Sequence, residues 1–260
     1  MKKIKLIVLT LVLVIAVQAS IPVVQTAHAA TGTTQTTKKK NGLKKEKGKY
    51  CFYENGKKVK KSFRTVKGKK YYFQKNGAAA TGWYKIGNKA YHFTSKGVME
   101  KNKTVDEIKL NKKGYVSALN ERVKLKFQTI SIVKKITNTS MSKEQKLKAC
   151  YSYILKCTYL MRIFPITGKN WEVVYAADML TNKKGNCYSY AAAFAMLAKE
   201  CGYKAEIIKG NMQKEGQSVR LHAWVEINGR VYDPQSQVSM NADFYNKAYS
   251  EISEIQYMPN

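Results

Sequence analysis

Three side chains in the C-terminal half of the chain have the types and spacing needed for acyl chemistry. The first is Cys187, which follows a Gly-Asn pair and opens the run "CYSYAAAFAMLAKE". That unbroken Ala, Phe, Met and Leu content predicts a buried helix. A cysteine serving only as an apolar side chain has no reason to stand at the first turn. There the backbone N–H groups lack intrahelical acceptors, and their partial positive charge favours the thiolate, the reactive form of the side chain. Gly185, Ala191, Ala192 and Ala193 are small enough to let a strand pack closely on this helix.

The second and third lie in "HAWVEINGRVYDP", residues 222–234. Asn-Gly is the preferred pair for a two-residue type I′ hairpin turn. A turn at Asn228-Gly229 pairs Ile227 with Arg230, Glu226 with Val231, Val225 with Tyr232 and Trp224 with Asp233. Side chains alternate along a strand, so His222, Trp224 and Asp233 share a face. His222 and Asp233 become diagonal neighbours with Cβ atoms about 7 Å apart, within reach of an imidazole–carboxylate hydrogen bond. A thiolate, an imidazole and an orienting acid are the parts of a nucleophilic acyl-transfer site. Asp233 also precedes Pro234, and a strand-ending residue is its plainer reading.

These residues need a scaffold, and residues 106–260 supply one. "SMSKEQKLKACYSYILK" begins with Ser142 and Gln145 in capping-box spacing, and Leu147, Cys150, Tyr151, Ile154 and Leu155 fall on one helical face. An earlier helix is predicted from about Val116 to Ile136, with Leu119, Val123, Phe127 and Ile130 inward. Gly202 caps the Cys187 helix, and "AEIIKG", "VRLHAWVEI" and "RVYDP" follow as short strands. Helices first and strands afterwards predict an α+β domain.

Residues 1–29 are different. A Lys-rich start, an apolar stretch and the small-residue triplet "AHA" make a secretory signal with cleavage after Ala29. Residues 30–48 read as a basic linker, and residues 49–105 as repeats. "YCFYENG", "YYFQKNG" and "YHFTSKG" share Y-x-F-x-x-x-G at intervals of 21 and 20 residues, which predicts β-hairpins stacked into a small solenoid. Residues 31–105 hold 21 basic and three acidic side chains, +18 of the chain's +30. For an exported protein that charge points to an anionic wall polymer such as teichoic acid or peptidoglycan. Nucleic acid is excluded as partner, because the chain has neither an RNA-binding signature nor zinc-ligand spacing. No segment after the signal is apolar enough to stay in a membrane, and no metal or other cofactor is implied. Five cysteines leave at least one unpaired, and Cys51, Cys150, Cys157 and Cys201 read as small apolar residues.

Residues 67–99, "KGKKYYFQKNGAAATGWYKIGNKAYHFTSKGVM", resemble the cell-wall-binding repeats of the choline-binding family. That resemblance implies aromatic wall-binding residues at Trp83, Tyr71, Tyr72, Phe73, Tyr91 and Phe93. Trp83 is the only tryptophan in the repeats, so choline itself does not follow. "KKGNCYSYAAAFAMLAKECGYKAEIIKG", "HAWVEING" and "VYDP" resemble the transglutaminase-like superfamily, relatives of papain-type cysteine proteases, in the order Cys, His, Asp. The resemblance implies a papain-like core with the Cys187 helix packed on an antiparallel sheet. It also implies Cys187 as nucleophile, His222 as general base and then acid, and Asp233 as orienter. Trp224, Trp171 and Tyr188 are the candidate substrate contacts. The expected function is a secreted, wall-associated cysteine enzyme that acts on peptide or glutamine amides through a thioester, with hydrolysis favoured over protein cross-linking. The alternative outside catalysis is a silent wall-binding scaffold.

Overall fold

A computed structural model describes residues 39–116, 119–161 and 170–260. The expected signal sequence with its cleavage site and the first half of the expected linker lie outside the described residues.

The repeats are a ladder of short antiparallel hairpins. β1 (Gly42–Glu46), β2 (Lys49–Glu54) and β3 (Lys57–Lys58) form one sheet, and β4 (Ser62–Val66) pairs with β5 (Lys69–Phe73) in a second. β6 (Gly82–Ile86) and β7 (Lys89–Phe93) start a third. β8 (Thr104–Val105) and β9 (Ile108–Lys109) make a further small hairpin, and β10 (Tyr115–Val116) returns to pair with β7. One expectation is corrected here. Residues 42–46, read as linker, are already the first strand, because Lys47 and Gly48 take left-handed backbone angles and turn it onto β2. A hairpin turn also precedes each aromatic triplet, as at Lys67-Gly68. The expected turn after the triplet is present too: Asn55-Gly56 joins β2 to β3, and the turns at Gly77 and Gly97 bring Ala79 back beside Phe73 and Met99 beside Phe93. Successive units are stitched through the backbone, Ala79 N donating to Tyr50 O and Met99 N to Lys70 O, each at 2.8 Å.

The second region starts with α1 (Glu121–Ile136) and α2 (Lys143–Leu155). α1 begins five residues later than expected, because the Asn120 side chain accepts from Val123 N and caps it there. α2 has the full capping box between Ser142 and Gln145. β11 (Thr158–Tyr159) pairs in parallel with β12 (Lys184–Gly185), and between them lies α3 (Trp171–Asn182), which the sequence reading did not identify. α4 (Cys187–Glu200) then runs through the middle of the core. β13 (Glu206–Gln213), β14 (Arg220–Ile227), β15 (Arg230–Tyr232), α5 (Pro234–Met240), β16 (Tyr245–Lys247) and β17 (Gln256–Pro259) complete it. The five strands form one antiparallel sheet in the order β16-β15-β14-β13-β17.

α4 packs against α2, α3 and β14. It is apolar all round and buries Tyr190, Ala191, Ala192, Ala193, Phe194, Ala195, Leu197 and Ala198, as a helix with neighbours on every side must. β14 divides its side chains by alternation. Ala223, Val225 and Ile227 join the helical core, while Trp224 joins a separate cluster with Val231, Phe244, Ile255 and Tyr257 on the other face.

The two regions are continuous, since residues Lys40–Asn260 make one compact unit. Trp83 and Ala90 from the β6–β7 hairpin bury with Ile108, Leu110 and Val123 of the segment that leads into α1. The Trp83 indole N–H donates to Asp106 at 2.9 Å, and Asp106 in turn pairs with Lys126 of α1 at 2.8 Å. Among the described residues no helix is long and apolar enough to cross a membrane.

Candidate functional site

Cys187 is the first residue of α4, and the structure shows what holds it there. Asn186 caps the helix, its side-chain oxygen accepting from Ser189 N at 3.2 Å while its carbonyl accepts from Tyr190 N at 3.0 Å. The amides of Cys187 and Tyr188 remain as first-turn donors without intrahelical acceptors. Gly185 sits tight below this turn. A Cβ at Gly185 would meet the Ser189 Cβ at 2.4 Å and the Met179 sulfur at 3.1 Å, so only glycine lets β12 deliver the cysteine at this depth.

The hairpin register agrees with the Asn-Gly reading. Ile227 pairs with Arg230, Glu226 with Val231 and Val225 with Tyr232, and both turn residues have positive φ, 54° at Asn228 and 72° at Gly229. Asp233 follows directly and leaves the sheet to cap α5, its Oδ1 accepting from Gln235 N at 3.1 Å and Ser236 N at 3.0 Å. Its Oδ2 accepts from His222 Nε2 at 2.6 Å and from the Tyr257 hydroxyl at 2.7 Å. Ser236 Oγ lies 3.4 Å from the same histidine nitrogen. With Nε2 engaged by Asp233, Nδ1 is the ring nitrogen left to face the Cys187 thiol, which lines the same cleft.

The electrostatics follow from burial. Desolvation alone would push the His222 imidazole down, but the charge and hydrogen bond of Asp233, together with the influence of the nearby Cys187 sulfur, outweigh it and raise the group to about 10. Desolvation would likewise push Asp233 up, yet the His222 charge and the hydrogen bonds from His222 and Ser236 hold it below the usual carboxylate range. A thiol, an imidazole kept cationic and a buried carboxylate in series can transfer a proton and make a sulfur nucleophile.

Cys187 and His222 open into a cleft of about 710 Å³ whose walls include Tyr159, Met161, Tyr175, Met212, Arg220 and Leu221. Of the three residues expected to touch substrate, Tyr188 lines this cleft. Trp171 stands behind it, edge-on to Tyr188 at 5.7 Å. Trp224 is a correction. It shares the His222 face as alternation requires, but it is completely buried, 4.6 Å from the Tyr257 ring, with its indole N–H bonded to the Tyr249 hydroxyl at 2.8 Å. It supports the histidine from behind and cannot meet a substrate.

Tyr257 escaped the sequence reading altogether. It sits on β17, which reaches Asp233 by pairing with β13, and no motif marks it. A close approach at Gly210, opposite His222, permits that pairing, since a Cβ there would lie 2.3 Å from the Met258 carbonyl oxygen. The cap role of Asn186 was not identified either, although a polar side chain directly before an apolar run is a signal for it.

The nominated wall-binding aromatics are corrected as well. Tyr71, Phe73, Trp83, Tyr91 and Phe93 are buried in the packing between hairpins, and only Tyr72 is partly open, against Phe63 at 5.0 Å and Tyr84 at 5.6 Å. Of these rings, Tyr91 still lines a cleft, together with Tyr115. All five cysteines are free thiols, and Cys150 and Cys201 approach to 3.5 Å between sulfurs. Among the described residues no group of three or more His, Cys, Asp or Glu is placed to hold a metal.

Residues 130–241 match the family described as the transglutaminase-like superfamily, and residues 61–79 and 81–99 match the putative cell wall binding repeat. No curated protein matches the chain. Similar solved structures include a choline binding domain from Streptococcus pneumoniae, 28% identical over 29% of this chain and 93% of that chain, with a TM-score of 0.28. Choline binding protein F from Streptococcus pneumoniae, solved in the presence of a peptidoglycan analogue, is 28% identical over 29% of this chain and 26% of its own, with a TM-score of 0.28. A pneumococcal cell wall endolysin from phage Cp-1, complexed with choline, is 28% identical over 24% of this chain and 19% of its own, with a TM-score of 0.23. The chain therefore spans almost all of the first but about a quarter or less of the other two.

Proposed function

We propose that the protein is a secreted, wall-associated cysteine enzyme that hydrolyses peptide or glutamine amides through a thioester on Cys187, within a papain-like core over residues 106–260. The observation that carries this reading is that Cys187, at the first turn of α4, and His222 line one cleft, with His222 Nε2 held 2.6 Å from the buried Asp233. Cys187 sulfur attacks the amide carbonyl, and the first-turn amides of α4 face the oxygen that becomes negative. His222 gives its proton to the departing amine or ammonia, which leaves an acyl-cysteine. Water then attacks the thioester, His222 takes the water proton, and a carboxylate and the free thiol result. Asp233 holds the imidazole in the required tautomer, and Tyr257 and the α5 amides hold Asp233.

The repeats over residues 49–105 serve as the wall anchor in this reading, joined by the linker to a signal cleaved after Ala29. A basic cleft of about 450 Å³ supports an anionic polymer as the ligand, since Lys70, Lys89, Lys101, Lys112 and Lys113 surround Tyr91 and Tyr115. Five lysines repel a cation such as choline. The test is to incubate the protein with a glutaminyl peptide and a labelled primary amine. Ammonia or a new carboxylate, absent in Cys187→Ala, is expected. Cys187-dependent incorporation of the amine would make the protein a cross-linking transglutaminase instead.

A further inference from the structure

The cleft over Cys187 has a one-sided charge. Its lining contains Lys214 and Arg220 and no aspartate or glutamate; Glu215, in the same connection between β13 and β14, does not line it. The charge of His222 below is balanced by the Asp233 carboxylate 2.6 Å away, so Lys214 and Arg220 set the sign of the cleft. Neither Lys214 nor Arg220 has an ion-pair partner among the described residues, whereas Arg122 and Lys126 elsewhere are each paired with two carboxylates. Unpaired cations beside a reactive group point to a ligand that supplies the missing anion.

Arg220 is placed to meet it. It stands two residues before His222 on β14, hence on the same face, opposite Met212 of β13. Two residues along a strand is about 7 Å, the separation between neighbouring groups of an extended peptide laid along it. Tyr159 lines the same cleft. Burial and the Cys187 sulfur push its phenol up while Arg220 pulls it down, so the guanidinium and the sulfur act on one ring. The rest of the lining mixes apolar side chains, such as Met161, Met212, Leu221 and Met240, with uncharged polar ones, such as Gln217 and Gln235.

We infer that the cleft takes an acyl donor bearing a carboxylate beside the attacked amide, an acidic peptide, with Arg220 as the principal counter-charge and Lys214 as the second. This rests on Cys187 being the nucleophile. It also gives the hydrolytic outcome a physical cause, because a protonated lysine amine meets the same positive field as it approaches the thioester, whereas water does not. Arg220 is a specificity residue here and takes no part in bond making.

Two small alkylating agents test the inference without a known substrate. Iodoacetamide and iodoacetate react alike, the Cys187 sulfur forming a bond to carbon as iodide leaves, but only the second carries a carboxylate next to the reacting carbon. The readout is the ratio of the iodoacetate rate to the iodoacetamide rate at Cys187, followed by peptide mapping at neutral pH and low salt. One exposed charge at about 7 Å changes that ratio about threefold to sevenfold. Arg220→Gln is expected to lower the ratio by that factor, Lys214→Gln by less, and Arg220→Lys is expected to keep most of it. Raising the ionic strength should shrink the wild-type advantage in the same direction. A ratio unchanged in Arg220→Gln overturns the inference and leaves the nucleophile in place. No reaction of Cys187 with either reagent overturns the nucleophile, and the inference with it.

Discussion

The hairpin repeats and the α/β region each hold a histidine against a carboxylate, and the two pairs behave differently because of where they sit. In the repeats His92 Nδ1 lies 2.5 Å from Glu100, and the side chains are 18% and 17% exposed. In the α/β region His222 Nε2 lies 2.6 Å from Asp233, and the side chains are 2% and 1% exposed. The contact distance is nearly the same, so distance does not make a site. Glu100 also pairs with the exposed Lys103 at 3.0 Å, a solvated cluster of the kind that ties a strand end. Asp233 is fixed by two backbone amides and a tyrosine, and Cys187 lines the same cleft as its histidine. Enclosure and a third group are what set the His222 pair apart as a candidate site.

The sharpest break between the two is catalytic. Cys187→Ala and His222→Ala are expected to lower turnover of a glutaminyl peptide by about a thousandfold or more. His92→Ala should leave it within about twofold. Equal losses from His92→Ala and His222→Ala would remove the distinction.

The next largest effect concerns how the regions depend on each other. Trp83 completes a cluster with Ile108, Leu110 and Val123, so Trp83→Ala is expected to cost about 3–5 kcal/mol of stability for the whole unit in chemical denaturation. Loss of wall retention without loss of stability would return Trp83 to the role of a ligand-binding ring.

Asp233→Asn should cost about a hundredfold in turnover, less than loss of the cysteine, because it disturbs orientation and not bond making. It should also move the alkaline limb of the pH profile. His222 is raised to about 10, so the imidazolium persists until the pH approaches that value, and removing the Asp233 charge lets it deprotonate earlier. The limb is therefore expected at lower pH in Asp233→Asn. For stability the signs are opposite for the two partners. The raised His222 contributes fully below its unfolded pKa of about 6.5 and loses that contribution as pH climbs toward 10, and the lowered Asp233 contributes above about 3.9 and loses it on acidification. The melting temperature should differ most between wild type and Asp233→Asn from about pH 4 to 6.5. A difference independent of pH would show that Asp233 acts only as the α5 cap.

The smallest effect is on wall binding. Lysines dominate the repeat surface while its rings are buried, so retention on isolated Gram-positive walls is expected to fall several-fold between low and physiological salt as screening shortens the reach of those charges. Retention indifferent to salt would point to a neutral contact instead.

How much of this could be read from residues alone depends on the distance over which each feature is decided. Asn228-Gly229 set a register that placed His222 near Asp233, because a two-residue turn admits few geometries. Asn186 and the alanine run after Cys187 determined a helix that starts at the cysteine, through a bond spanning three residues. Ser142 and Gln145 did the same for α2. The repeat period announced hairpins with a turn after each aromatic triplet, though not the turn before it. Tertiary structure decided the rest. Tyr257 reaches Asp233 from 24 residues away through a strand with no motif, and Trp83 reaches Asp106 from 23 residues away. Trp224 and the repeat rings have the composition of ligand contacts and the burial of core residues. Local bonds act within one turn or hairpin, where the order of residues alone selects the geometry. Burial and the field at His222 are sums over elements far apart in the chain, and only packing brings those elements together.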